Sequence, residues 1–446
     1  MLSNLLCESE EFVKEPENAA TTKVHHDELN LLHEICDGDV ALHSVELAIQ
    51  VSCDLTYQSR AQVLRLSCEI ILDKGQRQTQ LPWELHKQGI ELRARSENLR
   101  HISDLEKGIA MQRKAIICTP LNSIERPLML SSLGNSYRRR YERFGDVKDL
   151  KSAVRQQFIA VTSIPRDSTH RPAILSNFGR AYLRLFERFG ERKVVDFAID
   201  QILEAVPTSP LGSADRVGLL SNLGDLYQHR FEWFGDVKDL DSAIEQHLEA
   251  VVSIPLNSPN LSAAHTSLGN SYFRRFERFG SMKDIDSAVE QQLKAAASVA
   301  PNSVYRPEIF SNLGNSYQCR FESFGNIQDL ESAIKHLIEA IPLIPPNHPN
   351  RPAILNSLGT SYKLRFERFG KKKDIDFAIK QQLGAVASAP PDGPNRAEYL
   401  DSLGLSYLHR FTHFGEVNDI DSAINHQLDS AALASTLPDS AKRTSS

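Results

Sequence analysis

The sequence predicts an all-α chain, a stack of antiparallel helix pairs, and three observations carry that prediction. A 45-residue block recurs seven times without insertion or deletion, marked by Gly134, Gly179, Gly224, Gly269, Gly314, Gly359 and Gly404. Apolar residues within each block are spaced by three and four, as on one face of a helix. No stretch from 120 to 434 alternates apolar and polar residues as a half-buried strand would. A fixed period of this size marks supersecondary units that each leave an apolar stripe uncovered, so neighbours must complete one another's interior.

The block around Gly224 shows the elements in order. Residues 216–234 lack proline and carry Leu219, Leu220, Leu223, Tyr227, Phe231 and Phe234 at helical spacing. In other copies Pro172 and Pro352 open this segment, where a missing N–H costs nothing. A second invariant glycine, here Gly235, follows a phenylalanine and suits the left-handed residue just past a helix end. Asp239 is a plausible N-cap for a second helix from Leu240 to about Val252, and Pro255 stops it. Gly224 and Ala243 fall where the two helices approach, and Tyr227, Phe231 and Phe234 fill the wider gaps.

The organisation outside the clear copies follows by shifting the period. Gly89, Asp104, Leu105, Gly108, Ala115 and Pro120 match one block earlier, so 75–119 reads as a degenerate first repeat. Residues 1–24 are polar and expected to be mobile. Residues 25–74 are expected to form a helical or mixed capping segment, and 435–446 a polar tail. In the last copy Ser435 replaces the proline, and the second helix with Ala423, Ile424 and Leu428 should leave part of its face uncovered. That end would fray, dock a partner or continue into a longer gene product.

Composition limits the function. Net charge is 51 − 57 = −6, which argues against a basic nucleic-acid-binding body. No apolar run is long enough to span a membrane, and the first ten residues lack the features of a secretory signal. Cys7, Cys36, Cys53, Cys68, Cys118 and Cys319 show no pairing rhythm, which fits a reducing, cytoplasmic setting. No phosphate loop, G-x-G-x-x-G or H-E-x-x-H motif occurs. His25, His26 and His33 lack metal-binding spacing. No cofactor, metal site or catalytic residue is expected.

Leu-Gly-x-x-Tyr in the first helix, then Ala243, Ala250 and Pro255 in and after the second, resembles the tetratricopeptide repeat, over roughly 75–434. The usual period of that family is shorter, and this longer form is similar to the arrays that precede CHAT-type protease domains in fungal and bacterial proteins. Departures include Phe178, Val195, Phe197 and Ser435. No histidine is followed by glycine and no cysteine has the Asp-x-Cys context, so a protease of that lineage is not expected in this chain. The resemblance implies a right-handed superhelical α-solenoid whose first helices line a concave groove.

Counted from the first glycine at about 100° per residue, the leucine, tyrosine and two later aromatic positions fall within an arc of roughly 80°. The opposite arc carries Asn135, Arg138 and Arg139, then Arg180 and Arg184, Asp225 and Gln228, Asn270 and Arg274, and Asn315. By the resemblance, these residues would meet a protein or peptide partner, and the early arginines would favour an acidic one. The plainer reading is a solvated face with pairs such as Arg138–Glu142, each contributing ~0.2–0.5 kcal/mol. A glutamate recurs eight positions after the glycine in six copies, which opposes nucleic acid. The arginine at six positions after it (Arg230, Arg275) is expected to be structural and to pair with Asp239 or Asp284. The expected function is a non-catalytic binding scaffold, or else a sensor arm of a larger signalling or CHAT-protease protein.

Overall fold

A computed structural model of the 446-residue chain describes residues 81–436, apart from residues 100, 121, 256, 257, 259, 392 and 394. The expected mobile start, capping segment and His25–His33 cluster lie outside these residues, as does the tail from 437 on. Every regular element among the described residues is a helix. They run α1 (Leu81–Leu99), α2 (Ile102–Cys118), α3 (Arg126–Phe144), α4 (Val147–Ser163), α5 (Arg171–Phe189), α6 (Arg192–Ala205), α7 (Ala214–Phe234) and α8 (Val237–Ser253). Then follow α9 (Leu261–Phe279), α10 (Met282–Ser298), α11 (Arg306–Phe324), α12 (Ile327–Ala340), α13 (Arg351–Phe369), α14 (Lys372–Ser388), α15 (Arg396–Phe414) and α16 (Val417–Thr436).

The chain forms two compact units, one up to Leu185 and one from Phe186 onward. In the first, α1 packs on α2, α2 on α3 and α3 on α4. In the second, each helix from α6 to α16 packs on the next, and the first helices of successive pairs also touch: α7 with α9, α9 with α11, α11 with α13, α13 with α15. The interior follows the predicted stripe. Val217, Leu220, Ala250, Ile254, Leu261 and Ala264 form one cluster shared by α7, α8 and α9. Leu355, Ala385, Ala389 and Tyr399 form its counterpart three pairs on. Each fully buried leucine or isoleucine stabilises by about 1.5–3 kcal/mol. On α16, Ile424 is exposed whereas the equivalent Ile379 is buried; Leu428 is exposed, as are its equivalents Leu248, Leu293 and Leu383.

The glycine–alanine approach is close. A Cβ on Gly359 would lie 3.0 Å from the Ala378 carbonyl and 2.6 Å from Gln382 Cγ. The second glycine ends the first helix as expected: Gly235 has φ 73° and donates its N–H to Phe231 O at 2.7 Å. The second helix starts earlier than its apolar spacing indicated. α8 begins at Val237, and Asp236 caps it by accepting from the Lys238 N–H. Asp239 is therefore not the cap. It lies inside the first turn, buried, and receives Arg230.

A second arginine ties successive pairs together. Arg171 sends Nη1 to the carbonyls of Val161 and Ile164, at 3.2 and 3.3 Å. Arg126, Arg216, Arg351 and Arg396 repeat this, each reaching carbonyls ten and seven residues back. The last carbonyls of a helix have no partner within it, and here the next helix supplies a cation to them.

Candidate partner-binding face

The first helices place the predicted arc in two arrangements, one in each unit. In the first unit, Arg138 and Arg139 on α3 and Arg180 and Arg184 on α5 line one cleft with Tyr141, Glu142 and Gly145. Asn135 is not among the lining residues, and its Oδ1 is buried without a partner. Glu142 accepts from Arg138 at 2.5 Å, Arg139 at 3.2 Å and Arg184 at 3.1 Å. Burial would raise its carboxyl, but Arg138, Arg184 and Arg139 outweigh that and hold it below its ordinary range. Arg138 is only 5% exposed, so it is no solvated surface cation. The i,i+4 pair expected with Glu142 is present and partly buried.

In the second unit, Gln228 on α7, Asn270 and Arg274 on α9 and Asn315 on α11 line a groove of about 530 Å³ with Phe273, Glu277 and Asn312. Gln292, Ser316 and Asn356 also line it. Each is buried, and Gln292 Oε1, Ser316 Oγ and Asn356 Oδ1 have no hydrogen-bond partner. Unpaired buried atoms of the same kind recur at Gln157, Gln382 and Ser406, the equivalent positions of other copies.

Asp225 is not brought to this groove. Its Oδ1 lies 3.2 Å from Nε2 of His247. His247 stands where most other copies have glutamine (Gln112, Gln157, Gln292, Gln382, Gln427), and its ring reaches the carboxylate. His247 Nδ1 in turn lies 2.9 Å from Ser271 Oγ. Ser271, His247 and Asp225 thus stand in one chain, and Ser271 Oγ also lies 2.9 Å from Gln228 Oε1, whose amide nitrogen donates to Glu232. Ser271 is fully buried, so this is a joint between neighbouring first helices. Among the described residues no group of His, Cys, Asp and Glu could hold a metal ion.

The recurring glutamate has a partner that spacing within one helix did not reveal. The residue five positions after the glycine in one copy meets the glutamate of the copy before: Arg184 with Glu142, His229 with Glu187 at 3.4 Å, Arg274 with Glu232 at 3.1 Å and His409 with Glu367 at 3.3 Å. The sequence signal was a basic residue recurring 42 positions after each of these acids. Two steps depart from the pattern, with Cys319 and Leu364 at the basic position. There burial, Glu322 and Glu277 push the Cys319 thiol up to about 12, and burial raises Glu322.

No protein-family model matches the chain, and no curated protein matches it. Solved structures do. A monomeric mutant of IFIT1 with Gppp-AAAA is similar at 15% identity and a TM-score of 0.51, covering 95% of this chain and 86% of that one. YrrB, described as a TPR protein with an unusual peptide-binding site, is similar at 17% identity and a TM-score of 0.34, over 53% of this chain and 98% of that one. MamA is similar at 18% identity and a TM-score of 0.32, over 48% of this chain and 95% of that one. The chain is thus an all-α protein of tetratricopeptide-like helix pairs. Among the described residues no helix is long and apolar enough to cross a membrane.

Proposed function

We propose that the chain is a non-catalytic scaffold that holds a protein or peptide partner along the first helices of its pairs. The observation that carries this reading is the groove of the second unit. Gln228, Asn270, Arg274 and Asn315 from three successive first helices line it together. An extended peptide presents N–H and C=O groups in alternation, and carboxamides can both donate and accept. The degenerate unit at 75–119 belongs to the array on this reading, because Gly89 and Gly108 approach and Arg95 grips Asp104 as in the later copies. A nucleic-acid partner is disfavoured by the row of glutamates and the net charge of −6. A reducing compartment such as the cytoplasm suits the scattered cysteines.

Affinity capture with mass spectrometry on the full chain tests the reading. The double substitution Asn270→Ala with Asn315→Ala should lower recovery of direct partners about tenfold. Recovery of the same partners in the same amounts would contradict it.

A further inference from the structure

The ladder of acids and bases between first helices is incomplete at the groove of the second unit. At four steps the recurring glutamate holds a basic side chain of the next copy: Glu142, Glu187, Glu232 and Glu367. At the two steps between them, after Glu277 and Glu322, the basic position holds Cys319 and Leu364. Glu277 and Cys319 both line the groove. We propose that the peptide partner of this groove carries an arginine or lysine whose cation completes the ladder at Cys319, in the field of Glu277 and Glu322.

The charges around the groove have the sign for it. Arg274 is the one cation among the described lining residues, against Glu277 and Glu398. It is already engaged, with Nη1 on Glu277 at 2.8 Å and Nε 3.1 Å from Glu232. Among the described residues Glu322 accepts a hydrogen bond only from Gln318, at 3.4 Å, and has no ion pair. Lys363, whose charge reaches Glu322, stands 3.7 Å from Glu367 instead. Burial raises the Glu322 and Glu398 carboxyls above their ordinary value, and at Glu398 no cation offsets it. After burial, it is the charges of Glu322 and Glu277 that raise the Cys319 thiol, so the negative field of both acids converges where the cation is missing.

The filled steps show what this glutamate takes: a guanidinium from Arg184 and Arg274, an imidazole from His229 and His409. A basic side chain of a partner would make the same contact from outside the chain. The rest of the lining suits the peptide that carries it. Phe273 offers an aromatic ring to a cation. Asn356 stands where other copies have serine, threonine or aspartate. It lines the groove at 7% exposure and makes no side-chain hydrogen bond with another described residue. A carboxamide there can meet a peptide N–H or C=O group. The net charge of −6 draws a basic partner from a distance as well. The inference rests on the reading of this groove as the peptide site, and it adds the chemistry that the partner must bring.

Selection of a random peptide library displayed on phage against the full chain, followed by calorimetric titration of the leading peptide, tests it. The selected peptides should share a basic residue at one position, and its replacement by glutamine should weaken the leading peptide about tenfold. Cys319→Arg fills the step from within the chain and should weaken that peptide about tenfold more than Cys319→Met, which is neutral and of comparable reach. Glu322→Gln should weaken it, and so should added salt. The melting temperature of each variant separates lost binding from lost folding. Selected peptides with no common basic residue, or equal effects of Cys319→Arg and Cys319→Met, would overturn the proposal. If such peptides still lose affinity in the Asn270→Ala with Asn315→Ala variant, the groove reading stands without this inference. Basic peptides lost in Cys319→Arg but indifferent to the two asparagine substitutions would do the reverse. A selection that enriches no peptide would count against both.

Discussion

Arg320 grips Asp329 with two nitrogens of its guanidinium, Nε on Oδ2 at 2.9 Å and Nη2 on Oδ1 at 2.6 Å, and sends Nη1 to Asp286 of the preceding pair at 2.7 Å. The same arrangement holds Arg230 to Asp239 and Asp196, and Arg410 to Asp419 and Asp376. One side chain thus joins two helices of its own pair and reaches back to the pair before. The copy around Gly179 has Leu185 in place of the arginine and Val194 in place of the aspartate, and Lys151 stands where later copies have an acid. All three positions change together, as expected if they form one contact.

Arg320→Ala should therefore destabilise strongly. Asp329 is buried, and removing its partner leaves an uncompensated charge, which costs about 3–5 kcal/mol. Arg320→Leu combined with Asp329→Val, the residues of the Gly179 copy, should recover most of that loss. Thermal unfolding of the parent, single and double variants checks both statements. A double variant as unstable as the single would show that the pair is not the cause.

Close helix approach predicts a second loss. Gly359→Ala places a methyl group 3.0 Å from a backbone carbonyl that cannot swing aside. The cost should be about 1–3 kcal/mol, read as a lower melting temperature. An alanine variant as stable as the parent would mean that α13 and α14 part without penalty.

The ladder between first helices predicts a gain. Cys319→Arg supplies the cation that Arg274 and His409 supply elsewhere, facing Glu277. The new pair should stabilise by about 0.5–1 kcal/mol, and the gain should fall with added salt. The parent thiol, pushed up to about 12, should react slowly with iodoacetamide near neutral pH, because the thiolate is the nucleophile. Rapid alkylation of Cys319 in the folded protein, located by peptide mass spectrometry, would contradict the assigned environment.

A pH dependence follows from His229. Burial lowers its proton affinity, but the hydrogen bond to Glu232 and the charges of Glu232, Glu187 and Asp225 outweigh it, so the folded value lies above the ordinary 6.5. A histidine raised on folding contributes stability that is complete below its unfolded value and is lost as pH rises through the folded one. The difference in melting temperature between the parent and His229→Gln should be greatest below about pH 6.5 and shrink above it. A difference that grows with pH would reverse the assignment.

Much of the fold was legible because a strict period repeats each signal. The Phe-Gly stop, the Gly–Ala approach and the pairing of Arg230 and Arg275 with Asp239 and Asp284 all follow from side-chain size and charge within one pair. The start of α8 was misplaced because Asp236 and Asp239 are equally good caps by composition. Only the turn geometry chooses Asp236 and frees Asp239 for Arg230. The binding arc was legible as a face, but not in its internal pairing. Angles counted along one helix do not say which residue of the next helix stands opposite, so the contacts of Glu142 with Arg184 and of Asp225 with His247 were hidden. The buried Gln292 and Ser316 lie outside the arc that was counted, whereas Asn356, three positions before its glycine, lies on it.

Carbene footprinting of the full chain, alone and bound to the peptide that it captures most tightly, measures directly whether the first helices hold the partner. Asn270, Phe273 and Asn315 should be protected, with Leu248, Leu293 and Leu383 on the second helices labelled as in the free protein. Protection of those three leucines with Asn270, Phe273 and Asn315 unchanged would contradict it.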